Sequence, residues 1–144
     1  MKIAILGATS EIAKDVIRWF SSMSVCDCVL FARRPDVVSA WQEKQGLVNS
    51  FPVRIFDDFI KIPDFNAIIN FVGVGNPARA AQIGASILDI TAIYDNLALA
   101  YIQSHPACRY IFLSSGAVYG ENFDMPAGVN SLAIFQINSR RIEN

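Results

Sequence analysis

Apolar positions along the chain follow two alternating spacings. Short unbroken runs recur as KIAILG (Lys2–Gly7), CVLFAR (Cys28–Arg33), PVRIF (Pro52–Phe56), AIINFVGVG (Ala67–Gly75) and RYIFLSS (Arg109–Ser115). Runs this short, rich in Ile, Val, Leu and Phe and without polar alternation, predict strands buried on both faces. Between them the spacing becomes helical. Ile12, Val16, Ile17, Trp19 and Phe20 mark a helix over Ile12–Ser21. Pro35–Gln45 starts with Pro at a first-turn position and is followed by Gly46, and Pro77–Gln103 is helical in pattern. Alternating strands and helices predict βαβ crossovers, hence a doubly wound parallel sheet with helices on both faces, an α/β fold of three layers. From Glu121 onward no strand is clear, and SLAIFQINSRRIEN is at most a weak helix.

The bulk numbers narrow this picture. At 144 residues the chain holds one domain, 1–144, and its 53% hydrophobic content and mean hydropathy of +0.34 fit doubly buried strands. A net charge of −1 leaves no footprint for nucleic acid or an anionic membrane surface. No apolar run reaches transmembrane length, and Met1-Lys2 leads into IAILG with no secretory leader pattern. Three cysteines, Cys26, Cys28 and Cys108, without framework spacing predict reduced thiols and a cytoplasmic protein. Cys26-Asp27-Cys28 is half a metal site at best. Zinc needs about four ligands, and no His or further Cys lies nearby, so no metal is expected.

Chemistry concentrates at the strand ends. GATSEIA (Gly7–Ala13) joins the first strand to the first helix, where Gly7 permits a tight turn and the helix N-terminus offers free N–H groups to a pyrophosphate. Ala13 replaces the third glycine of a dinucleotide loop, where close helix–strand packing is required, and Ser10 stands in place of the middle one. That serine either hydrogen-bonds the phosphate or is an ordinary helix N-cap. After the second strand, Arg33 and Arg34 stand where an NAD-preferring domain carries an acid, about twenty residues on from the loop. Paired arginines suit a 2′-phosphate, which favours NADP over NAD; solvated charges at a strand end are the alternative.

With the fifth strand the sequence resembles the extended short-chain dehydrogenase/reductases, the NAD(P)-dependent epimerases and dehydratases of nucleotide sugars. The resemblance runs from Lys2 to about Gly120 and implies a Rossmann-type fold with the cofactor across the carboxyl ends of its strands. GATSEIA resembles the family's loop, which implies cofactor contacts at Gly7, Thr9, Ser10, Glu11 and Ile12. Asp57, followed by Asp58, resembles the acid beside the adenine site. NFVGVG resembles the stretch lying along the cofactor, implying roles for Phe71, Val72 and Gly73, and Asn96 falls near the family's helix asparagine. In SSGAVYG the resemblance implies that Ser115, with Ser114 beside it, positions the reacting oxygen, while Tyr119 shapes the sugar pocket. The implied partner is a small nucleotide-sugar-like substrate, and a homodimer is compatible with the family.

The family's chemistry also needs a YxxxK pair, the Tyr as general acid/base and the Lys lowering its pKa. This chain has no such pair, no Tyr beyond Tyr119 and no Lys beyond Lys61; Phe135 and Ser139 have the spacing without the chemistry. Two expectations follow: a sequence cut short after the fifth strand, or a protein that binds nucleotide as a non-catalytic sensor or scaffold. A third is a subunit completed by another chain. His105, before a Pro at a helix end, and the loop carboxylates Glu121 and Asp124 are read as structural or solvated.

Overall fold

The computed structural model describes residues 1–24, 26–47, 50–73, 82–84 and 86–113, most of the compact unit Met1–Phe112. Ser114, Ser115, Tyr119 and the tail lie outside the described residues.

The elements follow in the order β1 (Lys2–Leu6), α1 (Glu11–Met23), β2 (Asp27–Phe31), α2 (Pro35–Gln45), β3 (Val53–Arg54), a 3₁₀ helix (Phe56–Lys61), β4 (Ala67–Asn70), α3 (Ser86–Ser104) and β5 (Arg109–Phe112). All pairings are parallel and the strand order is β3-β2-β1-β4-β5. The chain winds outward from β1 to β3 and then returns to place β4 on the other side of β1. That reversal opens a crevice at the carboxyl ends of β1 and β4, where doubly wound sheets bind ligands.

Odd and even positions of the strands feed two cores, as the two-residue repeat of a strand requires. Ile3, Ile5, Cys28 and Leu30 pack with Ala13 and Ile17 of α1 and Val38 of α2. Ala4, Leu6, Val29, Phe31 and Ile68 face the other way, against Phe59, Phe65, Ala98 and Tyr101. Phe31 meets both Phe59 and Phe65 edge-on, at centroid distances of 5.2 and 6.1 Å. The α1 helix buries Ala13, Ile17 and Ser21 and turns Arg18 and Lys14 over the Trp41 ring of α2. Its last turn ends at Ser24 and that of α2 at Gly46, both in the left-handed conformation.

The third strand is shorter than its apolar run predicts. Only Val53 and Arg54 pair with β2, and Phe56-Asp57-Asp58 opens the 3₁₀ helix instead of closing the strand. Gln42 of α2 holds Phe51, just ahead of the strand, in place. Its side chain is buried, accepts the N–H of Phe51 at 2.8 Å and donates to the Phe51 carbonyl at 2.9 Å. His105 ends α3 as a structural residue, its ring stacked on Tyr101 at 4.0 Å and its Nδ1 3.0 Å from the Tyr101 carbonyl. The three cysteines are free and buried, with Cys26 Sγ 3.6 Å from Cys28 Sγ.

Candidate functional site

The loop from β1 to α1 is built by a crossed pair of constraints. The N–H groups of Gly7 and Ala8 both donate to the Phe31 carbonyl, at 3.0 and 3.1 Å, which folds the chain tightly over the end of β2. Gly7 has φ +81°, a value costly for any residue with a Cβ. It also has no room for one: a Cβ there would lie 2.9 Å from the Val72 nitrogen and 3.0 Å from the Phe71 carbonyl carbon. The glycine thus serves the turn and lets two loops touch backbone to backbone.

Ser10 occupies the N-cap of α1, yet its side chain makes no capping hydrogen bond. The helix's first bond runs from the Lys14 N–H to the Ser10 carbonyl at 2.9 Å. The N–H groups of Glu11, Ile12 and Ala13 are therefore without intrahelical acceptors, at the positive end of the helix dipole. Glu11 would oppose an anion there, but Lys14 Nζ lies 2.7 Å from its carboxylate and holds its pKa below the usual range.

Around this loop lies a cavity of about 510 Å³. Its lining brings together Gly7, Thr9, Ser10, Glu11 and Ile12 from the first loop, Arg33 and Arg34 from the end of β2, and Phe71, Val72 and Gly73 from the end of β4. Every one of these is a position singled out in the sequence. Arg33 and Arg34 are exposed and join no ion pair among the described residues. A second cavity of the same size adjoins it, with an apolar lining that includes Ile55, Ile60, Ile93 and Leu97 together with Asp57. Ala32, Arg33, Phe56 and Tyr94 wall both cavities.

Two expected residues stand apart. Asp58 is committed to Lys61, 2.8 Å away, and lines neither cavity, and Asn96 is exposed on α3 away from both linings. Ser114 and Ser115 lie outside the described residues. Conversely, the pattern reading passed over Phe56 and Tyr94, whose rings meet at 4.6 Å beside the arginines. The only sequence signal was the aromatic Phe56 ahead of the Asp57-Asp58 turn; nothing local marks Tyr94, which reaches the site because α3 packs under β4.

The donor set fits a dinucleotide: free N–H groups at a helix start for a diphosphate, an apolar and aromatic cleft for a base, and arginines between them. No curated protein sequence matches the chain, but the family model of the NAD dependent epimerase/dehydratase family matches residues 3–137. Among solved structures, the UDP-glucose 4-epimerase of Bifidobacterium longum in complex with NAD+ and UDP superposes with a TM-score of 0.75 at 15% identity, over 94% of this chain and 43% of that one. The UDP-Glc/GlcNAc 4-epimerase of Campylobacter jejuni gives 0.73 at 16% identity, over 92% and 43%. The UDP-glucose-4-epimerase of Stenotrophomonas maltophila, with bound NAD and formylated UDP-arabinopyranose, gives 0.73 at 13%, over 93% and 43%. At these identities the likeness is one of fold, and the chain spans less than half the length of these structures. The match of the family model over most of the sequence carries the assignment: the chain belongs to the NAD dependent epimerase/dehydratase family.

Proposed function

We propose that this chain binds NADP, or NAD less tightly, in the crevice between β1 and β4, as the cofactor-binding portion of a protein acting on a nucleotide-linked sugar. The observation that carries this reading is the single cavity lined by the Gly7–Ile12 loop, Arg33, Arg34 and the Phe71–Gly73 segment. The diphosphate sits against the N–H groups at the start of α1. The adenine enters the cleft beside Asp57, against the wall formed by Phe56 and Tyr94, and the arginines meet the 2′-phosphate. When bound, the cofactor supplies the hydride acceptor and donor of the family's chemistry. Ser115, with Ser114, is assigned to hold the reacting oxygen of the sugar.

Within residues 1–144 the proton-transfer pair is missing, since no YxxxK occurs and no Lys follows Lys61. The alternative reading for the chain by itself is a non-catalytic NAD(P)-binding sensor or scaffold. Three free, buried thiols fit a reducing compartment such as the cytoplasm.

Fluorescence titration of the purified chain with NADPH and NADH tests the proposal. NADPH is expected to bind about tenfold more tightly, and changing Arg33 and Arg34 together to Ala should bring the two to near parity. Binding of neither cofactor would overturn the crevice reading, and tighter NADH would overturn the role of the arginines. Adding UDP-glucose with NADP should give no turnover; sustained turnover would refute the non-catalytic alternative.

A further inference from the structure

Beneath the crevice, three polar side chains from three elements meet among apolar neighbours. Asn70 closes β4 and is 1% exposed. Its Nδ2 donates to Asp95 Oδ1 of α3 at 3.0 Å and to Tyr110 Oη of β5 at 2.9 Å. The Tyr110 hydroxyl in turn donates to Asp95 Oδ1. The other end of the amide accepts the backbone N–H of Val72 at 2.9 Å. A carboxylate needs the NH₂ and an N–H needs the oxygen, so the amide can face only one way.

Val72 is the residue whose nitrogen would lie 2.9 Å from a Cβ on Gly7. The loop after β4 and the loop after β1 are therefore in backbone contact, and the Asn70 amide fixes one side of it. Tyr94, next to Asp95, packs on Phe56 and walls both cavities. Asp95 thus tethers the helix that carries Tyr94, while Asn70 tethers Val72.

We propose that Asp95, Tyr110 and Asn70 form a positioning network that sets Val72 against Gly7 and Tyr94 against Phe56, and so tunes dinucleotide affinity without touching the ligand. This inference rests on the dinucleotide reading of the crevice. None of Asp95, Tyr110 and Asn70 lines either cavity, which separates them from the contacting residues. The network is part-buried around the fully buried Asn70 amide, and it favours one geometry because any other would leave that amide unpaired. Burial and the Asp95 carboxylate together push the Tyr110 phenol above its ordinary range, with the Asn70 amide pulling it partly back, so the hydroxyl stays a donor.

The test combines affinity with amide hydrogen exchange. In Asp95→Ala, NADPH affinity is expected to fall about tenfold, while Asp95→Asn, which keeps an acceptor oxygen, should restore it to within about threefold of native. Adenosine, which meets the Phe56–Tyr94 wall but makes no diphosphate contact, should lose part of its affinity in Asp95→Ala, and less than NADPH, which also depends on the Val72 side, a difference that general destabilisation would not produce. The unliganded variant should show faster exchange at Val72 than the native protein. If Asp95→Ala does not fold, Tyr110→Phe carries the same comparison, since it removes one hydroxyl and leaves the ring. NADPH affinity within twofold of native together with unchanged Val72 exchange would overturn the network, as would equal losses for NADPH and adenosine. Should the native chain bind no dinucleotide, the crevice reading fails separately, and exchange at Val72 still decides whether the network holds the loop.

Discussion

Ile5 of β1 and Ile111 of β5 occupy one rung of the sheet, each paired with Ile69 of β4, and both side chains point to the same face. Ile5 is fully buried under α1, whereas Ile111 is 49% exposed. The strands as wholes differ in the same way: β1 is buried from Ile3 to Leu6, while in β5 three of four residues are exposed. Both are short apolar runs of the kind a doubly covered strand requires. The difference teaches that composition records the cover a strand is adapted to, and that the cover itself is a tertiary fact.

The sharpest way to break the comparison is to cut the same side chain on both strands. Ile5→Ala should cost about 3–4 kcal/mol, since the surrounding core cannot collapse onto the void, while Ile111→Ala should cost less than about 1 kcal/mol. Urea unfolding of both variants measures this. Equal losses would show that β5 is as well covered in solution as β1.

Legibility in the sequence divides along the same line. The parallel sheet and the glycine loop could be read because their causes are local: unbroken apolar runs, a glycine at a strand end, a helix starting at once. The arginines after β2 were legible because they follow a strand end directly. What could not be read depends on distant segments meeting. Phe56 and Tyr94 become a shared wall only when α3 packs beneath β4, and Asp95, not its neighbour Asn96, proves to face inward. The run PVRIF resembles a full strand, yet the chain leaves the sheet after Arg54 and turns into the 3₁₀ helix.

The two loops at the crevice sharpen the comparison further, because each carries a glycine and only one is constrained. Gly7 has φ +81° and no space for a Cβ, whereas a Cβ on Gly73 would meet nothing within 4 Å. Gly7→Ala should destabilise the fold by about 2 kcal/mol, from left-handed strain plus the clash with Val72, and abolish detectable NADPH binding. Gly73→Ala should leave stability within about 0.5 kcal/mol of native. Thermal melts with and without NADPH separate the two effects, and a well-folded Gly7→Ala that binds normally would remove the loop contact from the account.

The smallest expected effect concerns the thiols that flank the same two regions. Burial raises the pKa of Cys28 in β2, with Cys26 adding to it through their contact, and burial raises Cys108, just before β5, as well. The native state therefore keeps thiol protons that the unfolded chain releases near the ordinary value of 9.0. Unfolding then releases protons, so this contribution to stability is fully present below pH 9.0 and declines as pH rises toward the raised native values. As pH rises above 9.0, native stability should fall, with each such thiol adding to the slope. Cys28→Ala should flatten that slope at least as much as Cys108→Ala, since Cys28 is the more deeply buried, at 1% against 6% exposure. Urea midpoints across this range measure both slopes; a steeper contribution from Cys108 would mean that the start of β5 is the more tightly enclosed end of the sheet.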